Sequence, residues 1–198
     1  MSTAEQGVLA WHFLQSDRRL QHAPYTLVEA GQTLAETRPL QLCAVGLHAS
    51  IRALDALRYA PGNIVCRVRL SGTILQPVGE DKLCASERTV LAMADADAVL
   101  HEVACWVAER ALLHEREQGR EPDERSWAAI EAKRAWLLGE IDDAQLREAA
   151  SAASAARAAS AARAASAVRS AWDTSAAMFT EFNAELERRL NALLEGAS

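Results

Sequence analysis

The clearest pattern along the chain is an alternation in IVCRVRL, residues 64–70, where Val65, Arg67 and Arg69 take one side and Cys66, Val68 and Leu70 the other. A period of two with one apolar face predicts a half-buried β-strand. Three other runs are read as strands with it: GVLAWHFL at 7–14, YTLVE at 25–29 closed by Gly31, and LQLCAVGL at 40–47. ASIRALDALRY, 49–59, spaces Ile51, Leu54 and Leu57 for a helix, with Ser50 in the N-cap position. Pro61-Gly62-Asn63 breaks the chain before the alternating strand. Ser71-Gly72 marks a turn or bulge, after which Thr73-Ile74-Leu75 continues extended.

From Ala94 the period lengthens. Leu100, Val103, Val107 and Ala111 share one helical face, flanked by Val99, Trp106 and Leu113. The charged stretch EREQGREPDER, 115–125, carries Gly119 and Pro122 and reads as a linker. A second amphipathic helix follows through Trp127, Ile130, Arg134, Leu137 and Ile141, with Gly139 near its end. Asp142 and Gln145 have capping-box spacing and open a third helix, which contains the repeat and is expected to run toward Leu194.

That repeat, SAASAARAASAARAASAVRSAW at 151–172, keeps a beat of three: one polar residue, then two small ones. Alanine is the best helix former, so the segment is expected to be helical despite its low complexity. At about 100° per residue a step of three falls about 60° short of a turn, so the polar positions wind around the helix. Arg157, Arg163 and Arg169 therefore make no single basic stripe. Methyl groups bury little area, under about 1 kcal/mol each, but they let another helix come close. Two readings stand: a tolerated expansion that stays helical, or a stiff rod that pairs with a partner or with itself. Beyond the repeat, Trp172, Phe179, Phe182, Leu186, Leu190 and Leu193 restore an apolar stripe with nearly heptad spacing, suited to docking.

The expected fold is α+β: a small mixed β-sheet module at 1–93, an amphipathic helix packed on it at 94–114, the charged linker at 115–125, and a helical arm at 126–198, either a helical hairpin or a coiled arm. Half of the residues are apolar, but much of that is alanine and aromatics are only 5%. A net charge of −6 argues against general nucleic-acid binding, which favours a basic surface. No apolar run approaches the roughly 18 residues a membrane span needs, and the acidic N-terminus lacks the basic lead of a secretory signal. Cys43, Cys66, Cys84 and Cys105 form no CxxC pair and are expected as buried thiols of a cytoplasmic protein.

One stretch carries a resemblance. Gly46-Leu47-His48-Ala49-Ser50, Ala56-Leu57-Arg58-Tyr59, Val68 to Gly72 and Asp81-Lys82-Leu83-Cys84-Ala85 resemble an uncharacterised domain family of phage and bacterial genomes. The likeness extends to the Ala132–Leu137 helix and the alanine-rich repeat, with serine here where relatives often use Trp or Asp. It implies no known activity. A phage setting implies a host protein complex, such as a defence system, as the target.

His48 is the most prominent single residue for chemistry, since it follows a strand and precedes a helix. With Tyr59 and Glu87 it could be arranged as an NAD-using ADP-ribosyltransferase-like site; a histidine hydrogen-bonded to backbone in a turn is the structural alternative. His101 and Cys105 stand four apart on a helix, a spacing zinc accepts, and Cys84 or His114 would have to complete the set. No cofactor is called for. The leading expectation is a non-enzymatic protein-binding or self-associating module, a homodimer among its forms, with Trp172, Phe179, Phe182, Leu186, Leu190, Arg157, Arg163 and Arg169 at the interface. The alternatives are the His48-centred enzyme and a purely structural scaffold.

Overall fold

A computed structural model describes residues 7–21, 25–77, 79–164 and 171–197; over 155–176 it describes the backbone alone. The chain divides into two compact units, one made of Met1–Asp97 and Asn183–Ser198, the other of Ala98–Phe182.

The first unit is built on an antiparallel sheet of β1 (Val8–Leu14), β2 (Thr33–Ala35), β3 (Leu47–Ala49), β4 (Ile64–Leu75) and β5 (Leu83–Asp95), with a short helix α1 (Ala53–Leu57). The strands run β1-β4-β5-β2, and β3 also pairs with β5. Just past β3, Ser50 exchanges backbone hydrogen bonds with Trp11 of β1, at 2.7 and 3.0 Å. That exchange closes the strands into a small barrel. The alternation of β4 survives intact: Cys66, Val68 and Leu70 join Ala10, Leu14, Val28 and Val90 in the core. The opposite side of β4 buries Val65, half-buries Arg67 and exposes Arg69. Ser71-Gly72 is a β-bulge, with a register shift between Ser71 and Ile74 and Gly72 at φ +70°. A side chain there would run into Ser86, so the position suits glycine.

Three local expectations are corrected. YTLVE is no strand: Leu27 makes one isolated bridge to Arg19, and Tyr25 has a φ of 54°, which an extended strand does not continue through. The strand that follows it, β2, pairs with β5. LQLCAVGL is a tight turn in which Gln41 bridges Val45, with Cys43 at φ 66° and Gly46 at φ 130°. The strand β3 begins only at its last residue. Helix α1 starts at Ala53, because Ser50 is held in the barrel and Arg52 occupies the N-cap without a side-chain bond. The free N–H groups are met from far along the chain: Ala53 N donates to Glu187 Oε1 and Leu54 N to Asn183 Oδ1, each at 3.0 Å.

The second unit is helical, containing α2 (Asp97–Glu117) from Ala98 on, α3 (Glu124–Leu137), α4 (Asp143–Ala164) and the first part of α5 (Ala171–Gly196). The non-helical connection between α2 and α3 is confined to 118–123, since the charged flanks of EREQGREPDER are helical. The capping box forms as the spacing predicts: Asp142 N donates to Gln145 Oε1 at 3.0 Å, and Gln145 N to Asp142 Oδ1 at 2.9 Å. The repeat is helical to Ala164. Its first part packs on α3, with Ala153 and Ile130 buried. Arg134 of α3 pairs with Glu109 of α2 at 2.7 Å, and Trp106 meets Phe182 edge to face at 5.6 Å.

Candidate functional site

His48 sits where the barrel closes. Its backbone is in register with Cys84 of β5, and its ring is held by the turn before it: Cys43 N donates to His48 Nε2 at 3.0 Å. That nitrogen accepts, so it carries no proton in this arrangement. The turn is pinned a second time, by Cys84 Sγ donating to the Val45 carbonyl at 3.2 Å. Gly46 is required there, since a side chain would strike Cys84 Sγ and Leu40.

A polar cluster lies beside the same turn. The ammonium of Lys82 stands 4.2 Å from the Tyr59 ring centroid, and its pKa is held above the ordinary lysine value, first by the neighbouring Cys43 side chain. Tyr59 donates its hydroxyl to Asp81 Oδ1 at 2.6 Å, and this bond raises the phenol pKa. Arg58 reaches the other oxygen of Asp81 at 3.2 Å.

Behind His48 lies a buried cationic group that sequence reasoning missed. Arg88 of β5 is 2% exposed, and its Nη1 donates to the His48 carbonyl at 2.8 Å. Its Nε, fully buried, makes no hydrogen bond. No carboxylate among the described residues pairs with it. Burial lowers its pKa to about 10, so it stays a cation at neutral pH. His12 of β1, directly opposite Cys66, is held well below the usual histidine value, first by burial, then by Arg88 and His48. Burial pushes the Cys66 thiol up to about 12, so it supplies no negative charge. The missed signal was phase: Cys84, Ser86, Arg88 and Val90 fall on one side of β5, and Val90 is core.

The other candidates are placed as follows. Glu87 accepts from Ser71 Oγ at 2.9 Å and stands three positions along β5 from Cys84, an odd step that turns it to the other side of the strand. His48, Tyr59 and Glu87 bond to Cys43, Asp81 and Ser71 respectively. His101 packs edge-on to Trp136 at 5.7 Å, and Cys105 is buried. Among the described residues no group of three or more His, Cys, Asp or Glu side chains is placed to hold a metal ion, Cys84, His101 and Cys105 included. Leu186 and Leu190 are fully buried, while Phe179 and Phe182 are half-buried. Arg157, Arg163 and Trp172 lie on helical backbone whose side chains are outside the described residues, and Arg169 is outside them altogether. No helix among the described residues is long and apolar enough to cross a membrane.

No curated protein and no solved structure matches the chain. Residues 8–102, which hold the whole barrel and the His48 turn, match the family model described as a domain of unknown function (DUF7666), so this part of the chain is similar to an uncharacterised domain family.

Proposed function

We propose that the protein is a non-enzymatic binding module that pairs with a second copy of itself through the outer face of its sheet. One row of residues carries this reading. Leu9, Arg69, Thr89 and Thr33 stand in register across β1, β4, β5 and β2, on the side away from the barrel interior. Leu9 is 46% exposed, Leu91 is 38% exposed beyond Thr89, and Arg69 and Thr33 are exposed as well. The neighbouring row, Ser71, Glu87 and Ala35, adds an exposed carboxylate next to the exposed guanidinium of Arg69. A two-fold contact sets each residue against its counterpart's partner. Arg69 of one copy then faces Glu87 of the other, twice, around the aliphatic side chains. Leu186 and Leu190 are fully buried, so the exposed row on the sheet is the surface this reading uses.

Sedimentation velocity of the full chain over a range of concentrations tests this. The mass is expected to rise toward a dimer. Leu9→Glu and Arg69→Glu should each hold it at the monomer, and Arg69→Glu combined with Glu87→Arg should restore association. A monomer at every concentration overturns the reading.

A further inference from the structure

We propose that the barrel interior binds a compact oxyanion, a phosphate or the phosphate group of a larger ligand, at the Arg88 guanidinium beside His12. Arg88 is buried with, among the described residues, one protein acceptor, the neutral carbonyl of His48, and its Nε has no hydrogen-bond partner. A buried charge is tolerated when it is paired and hydrogen-bonded, and an orphaned buried donor calls for a partner. A water molecule would satisfy Nε and leave the charge unmatched. An oxyanion does both, because the planar guanidinium fits two oxygens side by side. His48 on β3, Cys66 on β4 and Arg88 on β5 stand against His12 among the described residues, and none of these three is a carboxylic acid. His12 is half-buried and Arg88 is buried. An anion there also favours a proton on His12, which Arg88 otherwise repels.

The experiment is an NMR titration of the full chain with inorganic phosphate, following the His12 imidazole resonance, assigned with His12→Gln, and the melting temperature in parallel. Sodium chloride at matched ionic strength is the control, and ADP is the second probe. A saturable displacement of the His12 signal with a rise in melting temperature, both absent in chloride and in Arg88→Met, is expected. ADP saturating at lower concentration than phosphate assigns the site to a phosphate-bearing ligand; ADP no better than phosphate assigns it to the free anion. A His12 signal that moves no further in phosphate than in chloride overturns the proposal, and this arm needs no variant to fold. An Arg88→Met response equal to the wild type overturns it too.

Discussion

Arg88 and His48 are joined side chain to backbone: the guanidinium of one reaches from β5 to the carbonyl of the other on β3, at 2.8 Å and away from solvent. The bond lies next to the Ser50–Trp11 exchange that brings β3 to β1. The histidine that stands out in the sequence is therefore a joint of the barrel. Its Nε2 holds the preceding turn, its carbonyl holds the buried arginine, and its strand closes the sheet.

Arg88→Met keeps the aliphatic stem and removes an unmatched buried charge. Replacing buried ionic groups by apolar ones of similar volume is often neutral or stabilising. Urea unfolding is expected to place Arg88→Met within about 1 kcal/mol of the wild type or above it. Arg88→Ala empties the same space and should fall about 2–5 kcal/mol below Arg88→Met, as large-to-small core changes do. Equal losses in the two variants would show that the guanidinium, not its stem, holds this part of the core.

The barrel was only partly legible in the sequence. β4 could be read because its alternation runs unbroken from Val65 to Leu70. β5 could not, because its partner register shifts between Arg67 and Val68 and again at the Ser71 bulge, and a charged residue sits at a core position. The 40–47 run looked like a strand for its apolar content, but the positive φ of Cys43 and Gly46 folds it into a turn. Nothing local marks Glu187 and Asn183 as the cap of α1, since they lie more than a hundred residues downstream. At the site, His48 was visible from its place after a strand, whereas Arg88 and His12 were not, because polar strand residues ordinarily face solvent and these two take core-side positions. The Asp142–Gln145 box was fully legible because both its bonds are local.

Gly46→Ala should test the pinned turn. Two penalties combine there: a φ of 130° that side chains rarely adopt, and a collision with Cys84 Sγ. A backbone position of this kind costs about 1–3 kcal/mol in strain alone. Thermal or urea denaturation should show a loss at least that large. In a Cys84→Ala background the collision is relieved and the added cost of Gly46→Ala should shrink without vanishing. An unchanged increment in both backgrounds would mean that the sulfur is not what crowds the turn.

The remote cap of α1 gives a third test. Asn183 and Glu187 supply the oxygens that Arg52 cannot. Removing a capping acceptor costs about 1 kcal/mol. Asn183→Ala and Glu187→Ala are each expected to lose about that much stability, and less than additively in combination, because Asn183 Nδ2 also bonds Glu187 Oε1 at 3.0 Å. Hydrogen exchange should show the Ala53 and Leu54 amides losing protection first.

His12 sets a pH dependence whose sign follows from its burial. In the folded protein its pKa lies well below 6.5, so the ring is neutral near pH 7. In the unfolded chain it titrates near the ordinary value of about 6.5. As pH falls through that value the unfolded state takes up a proton that the folded state refuses, so the unfolded state gains and stability drops, by up to about 1.4 kcal/mol per pH unit until the folded pKa is reached. The paired carboxylates act elsewhere. Glu185, held at about 2 by Arg188 and then Arg189, contributes stability that is complete above the ordinary carboxylate range and is lost as pH falls toward 2. The interval just below pH 6.5 lies apart from the carboxylates, and the His12 contribution there is the difference between the wild type and His12→Gln. Unfolding free energies measured across it should slope downward with acid in the wild type and more shallowly in His12→Gln. Identical slopes would place the His12 ring in contact with solvent, free to accept its proton without disturbing the barrel.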